Sequence, residues 1–401
     1  MTKRPEPTPR TNRSVAMKRN DCTMWLGLCL AGLALPASAA ETIKIGAPES
    51  ISGDWAPYTA AHGLRCMAEL VNEAGEFKIE LTVKDSKSEP QLAIALAQQM
   101  LDDGAVAVSG TPASDSLIPI AQLAEGYNAI TFSAMNTQVE MFATGLGNFV
   151  TTAVPDPFNA AATAKVAYDQ GARTAVLFVS DAAGTWTRAL PGWFGDVFEK
   201  LGGKVTGTIE YPGFGITDWS PFISKLKTMN PVPDAVHISS INPDVGVLIR
   251  QLRAAGLDTM VLGSDGFDDV TLASVAGGAA NVDGKVFFAA HGFATPGGAL
   301  AGFQAECAKR GYEINGAFFG LGGDVIKLLV GAAKAAGSTD PKAMLDAIYT
   351  KGPFEIITAP TISFDNPWHY PVKEVPVMGF KDGKTYLVSA TVPADVPHFK
   401  K

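Results

Sequence analysis

The segment Gly263-Ser264-Asp265-Gly266-Phe267-Asp268-Asp269 places a carboxylate between glycines just beyond an apolar strand pattern. Asp265 there can serve as counter-ion for a bound cation while Phe267 walls its apolar side, although a solvated loop acid has the same signature. Three further loops carry matching chemistry. In Gly110-Thr111-Pro112-Ala113-Ser114-Asp115-Ser116, Ser114, with Ala113 before it, can offer a hydroxyl and a helix-start N–H to a carboxylate, or Ser114 or Ser116 can simply cap a helix. In Ser133-Ala134-Met135-Asn136-Thr137, carbonyls can accept from an ammonium while Asn136 or Thr137 donates to a carboxylate; a plain turn is the alternative. The loop from Ser50 to Tyr58 offers Trp55 and Tyr58, which can close over a ligand or pack on the following helix.

These loops acquire meaning from the elements before them. Apolar strand patterns at 42–47, 79–84, 105–109 and 129–132 alternate with helical patterns at 62–73, 90–103 and 116–125. A second series follows Pro155 and Pro157, with strands at 174–179, 204–211, 235–239 and 259–262 and helices at 159–170, 190–201, 221–229 and 245–255. Such alternation predicts two doubly wound parallel sheets, whose ligands sit outside the carboxyl ends of the strands. A strand at 285–289, helices at 298–309, 317–336 and 341–349, and strands at 361–364, 375–381 and 385–389 complete the chain. The turn Lys381-Asp382-Gly383-Lys384 makes the last two antiparallel.

No HExxH, GxSxG, Walker A or strand-end GxGxxG sequence occurs, and His62, His237, His291, His369 and His398 are scattered without metal-ligand spacing. Neither an enzyme nor a cofactor or metal is therefore expected. The 401 residues, 47% hydrophobic and 18% charged, suffice for two globular cores. Residues 1–40 contain six bases and two acids, an apolar run from Met24 to Leu35 and the small-residue site Ala37-Ser38-Ala39. They read as a secretion signal cleaved after Ala39 or Ala40, with Met17 as an alternative start. Leu28 before Cys29 argues against a lipid anchor. Without this segment 26 bases and 38 acids remain, a charge of −12 that excludes nucleic acid as a partner. Cys66 and Cys307 then remain in an oxidising compartment, as two thiols or one bridge.

The residues also resemble a known family. Ile43-Lys44-Ile45-Gly46, Ser52-Gly53, Glu69 to Gly75, Asp85 with Pro90, and Gly110 to Ser114 resemble the leucine/isoleucine/valine-binding family of periplasmic solute-binding proteins. So do Thr217-Asp218-Trp219-Ser220, Pro233 to Val236 and Ile249 to Leu257. The resemblance spans 41–390 and implies a type I periplasmic binding fold, two α/β lobes joined by a three-crossing hinge. It implies that Ser114 and Asn136 hold a ligand carboxylate, that the Ala134 carbonyl and Asp265 hold its ammonium, and that Tyr58 covers its side chain. The family's second-lobe aromatics are altered here, to Ser239-Ser240-Ile241 and to the stretch Asp181 to Trp186, so Ile241 and Trp186 join the candidate pocket.

The resulting expectation is a monomeric, periplasmic binding component of an ABC importer, capturing an amino acid or related small zwitterion or carboxylate for a membrane permease. A ligand-sensing module feeding a receptor or regulator is the alternative. Lobe 1 is expected over 41–155 plus 291–353, and lobe 2 over 156–290 plus 354–401.

Overall fold

Short apolar strands that alternate with helices can bury both faces of a sheet, and this chain does so twice. The computed structural model describes residues 40–314 and 316–397; the secretion signal expected over 1–40 falls, but for residue 40, outside the described residues, as does His398. The first sheet comprises β1 (Glu41–Glu49), β2 (Phe77–Asp85), β3 (Ala107–Val108), β4 (Ile130–Ser133) and β5 (Phe149–Thr151). All are parallel, in the order β2-β1-β3-β4-β5. Helices α1 (Ala61–Ala74), α2 (Pro90–Asp102), α3 (Ser114–Gly126) and α4 (Glu140–Ala143) connect them. Neither α4 nor β5 was expected; at four and three residues they are too short to show a period.

The chain then enters α5 (Asp156–Asp169), β6 (Thr174–Val179), α6 (Gly184–Arg188), α7 (Leu190–Lys200) and β7 (Lys204–Glu210). It continues through α8 (Ser220–Thr228), β8 (Ala235–Ile238), α9 (Asp244–Ala254), β9 (Met260–Gly263), α10 (Leu272–Val275), α11 (Ala279–Val282) and β10 (Val286–Ala289). Helix α5 starts three residues earlier than the 159–170 pattern because Pro157 fits the first turn of a helix, where a missing N–H costs nothing. Next come α12 (Ala299–Lys309), α13 (Ala317–Ala336), α14 (Pro341–Thr350), the small antiparallel pair β11 (Phe354–Glu355) and β12 (Thr361–Ile362), and the hairpin β13 (Val375–Lys381) and β14 (Lys384–Thr391). The second sheet runs β14-β13-β10-β9-β8-β6-β7, parallel except where β13 meets β10 and β14.

Helices α12 to α14 return to the first sheet's side, and α13 crosses α1 at a backbone-to-backbone approach. Gly63 of α1 faces the Phe319 carbonyl and Gly322 of α13 faces the Ala60 carbonyl, so any Cβ at either position would collide with backbone. Cys66 of α1 and Cys307 of α12 form a disulfide with Cα atoms 5.9 Å apart, which settles the choice between thiols and bridge. Residues 354–364, expected with the second lobe, pack instead on α13. Phe354 lies over Gly331, and Asp324 accepts from the Ile357 and Thr358 N–H groups. Those buried donors must be satisfied, and α13 supplies the carboxylate, so the third crossing falls nearer Lys373 than Phe354.

Three buried residues bind the crossings to one another. The Val154 N–H, in the first crossing, donates to His291 Nδ1 at 3.2 Å in the second. Lys373, in the third, donates through Nζ to the His291 carbonyl at 3.1 Å and to Thr358 Oγ1 at 2.7 Å.

Candidate functional site

The loops beyond the strand ends meet in one cleft between the two sheets. Its empty space, counted together with the solvent at its mouth, is about 480 Å³. Its walls include Trp55, Tyr58 and Phe318 on the first side and Trp186, Ile241 and Asp265 on the second. Pro112, Ala113, Met135, Thr137, Gln138, Ala183 and Gly266 complete the lining.

The aromatic rings brace one another. Trp55 lies 6.4 Å from Trp186 at 73° and 5.9 Å from Phe214 at 85°, and Tyr58 meets Phe318 at 5.5 Å and 80°. These edge-on contacts are the favoured aromatic geometry. The Tyr58 hydroxyl donates to the Gly266 carbonyl at 3.0 Å and accepts from the Asn242 N–H at 3.3 Å, so its ring is pinned across the cleft. Burial raises the Tyr58 phenol far above the usual range, and nearby Asp269 adds to the shift, so it acts only as a neutral hydroxyl. Other bonds hold the cleft shut. Gln138 Nε2 donates to the Ala183 carbonyl at 2.9 Å, and Glu140 accepts from the Thr185 N–H at 3.1 Å.

Asp265 is the ionised group in the lining. Its Oδ1 accepts from the Trp186 indole N–H at 3.0 Å and its Oδ2 lies 3.2 Å from His291 Nε2. Because Val154 N–H donates to Nδ1, that nitrogen carries no proton, and His291 must be the neutral tautomer that donates from Nε2. Burial pulls the His291 pKa below its ordinary value and outweighs the pull of Asp265 in the other direction, consistent with a neutral ring. Burial alone would raise Asp265; it is opposed by the hydrogen bond and the charge attraction of His291 and by hydrogen bonds from Ser264 and Trp186, and with a neutral His291 ring the hydrogen bonds alone oppose it. The contact is thus a hydrogen bond to a carboxylate, not an ion pair, and the negative charge is left for a ligand.

Of the ten residues singled out from sequence, Trp55, Tyr58, Ala113, Trp186, Ile241 and Asp265 line this cleft. Four do not. Phe267 is fully buried against Phe288 beneath Gly263, because the turn at Asp265–Phe267 directs its ring into the second lobe's core. Ala134 is buried behind Met135. The Ser114 N–H already donates to Gln138 Oε1 at 2.8 Å, and Asn136 Nδ2 donates to the Pro112 carbonyl at 2.7 Å. The Ser114 N–H and the Asn136 amide are therefore satisfied inside the protein, while the Ser114 hydroxyl accepts from Asn136 Nδ2 at 3.4 Å and keeps its own proton to donate. Ser114 does not cap α3 through its side chain, and Ser116 instead accepts from the Thr111 N–H at 3.1 Å.

Gln138, Phe318 and His291 were not singled out as site residues. His291 follows β10 as Asp265 follows β9, so the strand-end rule could have found it. Phe318 opens a long apolar helix and carries no signal to separate it from core.

One buried acid sets the position of the aromatic loop. Glu49, at the end of β1, accepts from the Ala60 N–H at 3.3 Å and the Ser109 hydroxyl at 3.1 Å, immediately after the turn that carries Tyr58. Burial pushes its carboxyl from 4.5 up to about 7. A pKa raised on folding means the native state holds a proton that the unfolded state has released. The stabilising difference is full below about pH 4.5 and is lost as pH rises through about 7, a loss of about 3 kcal/mol in order of magnitude. Glu49→Gln keeps an acceptor without the titration, so urea unfolding at pH 5 to 8 should give a flatter profile than the parent and higher stability at pH 8. Identical slopes for the two proteins would remove this role from Glu49.

The fold and cleft are those of a two-lobed solute-binding protein, and the comparisons agree. The profile of the periplasmic binding protein family matches residues 42–385, so the chain belongs to that family. Its substrate-binding members are not enzymes, and their family places them in the periplasm. A Leu/Ile/Val-binding protein homolog from Brucella melitensis is 28% identical over 353 residues, covering 86% of this chain and 92% of the relative. A leucine-, isoleucine-, valine-, threonine- and alanine-binding protein from Pseudomonas aeruginosa is 24% identical, covering 81% and 87%. Two solved structures share the fold: a leucine-binding protein from Thermotoga maritima (TM-score 0.74, 24% identity, 89% of this chain and 100% of that one) and a Rhodopseudomonas palustris solute-binding protein in complex with 4-hydroxybenzoate (TM-score 0.75, 19% identity, 88% and 98%).

Proposed function

We propose that this chain is the solute-binding component of an ABC importer, secreted to the periplasm by its N-terminal segment and acting as a monomer. It captures a small nitrogen-bearing organic solute of the amino-acid type and presents it to a membrane permease. The lobes comprise 41–155 with 291 to about 372, and 156–290 with the remainder. The observation that carries this reading is Asp265, an anion without a cationic partner set among aromatic rings contributed from both sides of the cleft. A ligand touching both sides stabilises the closed form over the open one, and that difference is what a permease can read.

The test is thermal unfolding of refolded, ligand-stripped protein with amino acids, amines, amides and aromatic acids. A ligand at 100 times its dissociation constant adds about 2.7 kcal/mol of stability. At least one solute should raise the melting temperature in proportion to the logarithm of its concentration. A flat response across all four classes would overturn the reading.

A further inference from the structure

We propose that the solute is an organic cation whose nitrogen carries no neighbouring carboxylate, an alkylammonium or arylalkylamine in preference to an amino acid. This rests on the solute-capture reading above and replaces its amino-acid ligand class with an amine.

The first observation is that Gln138 stands where a ligand carboxylate would be held. Its Oε1 takes the Ser114 N–H at 2.8 Å, at the start of α3, and its Nε2 reaches the Ala183 carbonyl on the other side of the cleft at 2.9 Å. The protein thus supplies a neutral amide to the N–H that an anion would need, and Asn136 Nδ2 is spent on the Pro112 carbonyl and the Ser114 hydroxyl, which leaves that hydroxyl's own proton as the remaining donor. An incoming carboxylate would have to break the Gln138 bonds and leave its amide to find new partners.

The second is the charge balance. No lysine or arginine is among the residues that line the cleft. His291 is held neutral by the Val154 N–H, and Lys373, behind it, is committed to Thr358 and the buried Asp324. Asp269 and Glu140 act on this region with the sign of Asp265, whereas burial raises the Asp268 carboxyl to about 6 and pushes that of Asp156 well up towards its neutral form. An anionic ligand would enter a negative field with no cation to receive it, and a zwitterion would have only its ammonium matched.

The third is the orientation of the rings. Trp186 gives its N–H to Ser264 and Asp265, each at 3.0 Å, and its ring forms part of the cleft wall. Trp55 stands at 73° to Trp186, and Tyr58 at 60° to Trp55 and 80° to Phe318; a ring's face is negative and its edge positive, so it is the faces turned to the cleft that can meet a cation. That combination binds a cation bearing carbon substituents, whose apolar groups touch the rings while its charge meets Asp265.

Titration calorimetry on the full, ligand-stripped protein with choline, phenethylamine, leucine and benzoate tests this. At least one of the two cations should bind at least tenfold more tightly than leucine and benzoate. Asp265→Asn should weaken the cation by about a hundredfold and Trp55→Ala by about tenfold, with the melting temperature of each unliganded variant showing that it is folded. Gln138→Ala should shift the preference towards leucine. Leucine or benzoate binding more tightly than both cations would overturn this inference and leave the solute-capture reading standing. If neither these probes nor the wider panel bind folded protein, both fall.

Discussion

Replacing Cys66 and Cys307 together by alanine should lower stability by about 3 to 5 kcal/mol, among the largest effects expected of any change remote from the cleft. The bridge spans 241 residues of sequence, nearly the whole route from α1 through the second lobe and back to α12. Closing so long a loop removes much of the freedom of the unfolded chain, while the folded chain holds both cysteines at no exposure among Leu300, Phe303, Phe319 and Ile357. Alanine there keeps the site apolar, so the loss measures the cross-link and not a buried polar group. Urea unfolding should place the double variant and the dithiothreitol-reduced parent together, both well below the oxidised parent. If all three unfold within 1 kcal/mol of one another, the bridge contributes no stability.

That bridge also marks where sequence reasoning ran out. Two cysteines in an oxidising compartment permit a disulfide, but residues so far apart meet only because α12 returns to the first lobe, a fact that no local pattern contains. The alternating architecture was legible because it is written locally. The strand at Thr174–Val179, the helix at Ala317–Ala336 and the strand at Val375–Lys381 lie where apolar runs and their bounding glycines and prolines place them. Asp265 and Tyr58 were legible for a related reason, since polar or aromatic residues in the loop past a strand have few other duties, while Trp186 came into view only through the family resemblance. Gln138 was not. Its side chain joins Ser114 to Ala183 only when the two halves are apposed, and a glutamine two residues beyond Asn136 carries no sign of that. Phe267 failed in the opposite sense, because an aromatic beside a site acid looks like a wall until the turn sends it inward.

Lys373→Met should cost about 3 to 5 kcal/mol, because it strands a buried charge at the junction of the three crossings. Lys373 and Asp324 have fully buried side chains, with Nζ 3.9 Å from Asp324 Oδ2 and the Thr358 hydroxyl bonded to both. Burial lowers the lysine to about 8, opposed by the attraction of Asp324, so the ammonium persists at neutral pH. Methionine fills the space but leaves the Asp324 carboxylate without its cation and the His291 carbonyl without its donor. Adding Asp324→Asn removes the stranded charge while an amide oxygen still accepts from Ile357 and Thr358, so the double variant should recover part of the loss. Calorimetry with whichever solute the thermal screen identifies should also show weaker binding by Lys373→Met, for a reason separate from stability. His291 is held by Lys373 at its carbonyl and by Val154 at Nδ1, and it holds Asp265 from Nε2. Freeing one end of that chain loosens the carboxylate that meets the ligand. Unfolding of Lys373→Met within 1 kcal/mol of the parent, with affinity unchanged, would detach the crossings from the site; loss of both would make one imidazole the link between them.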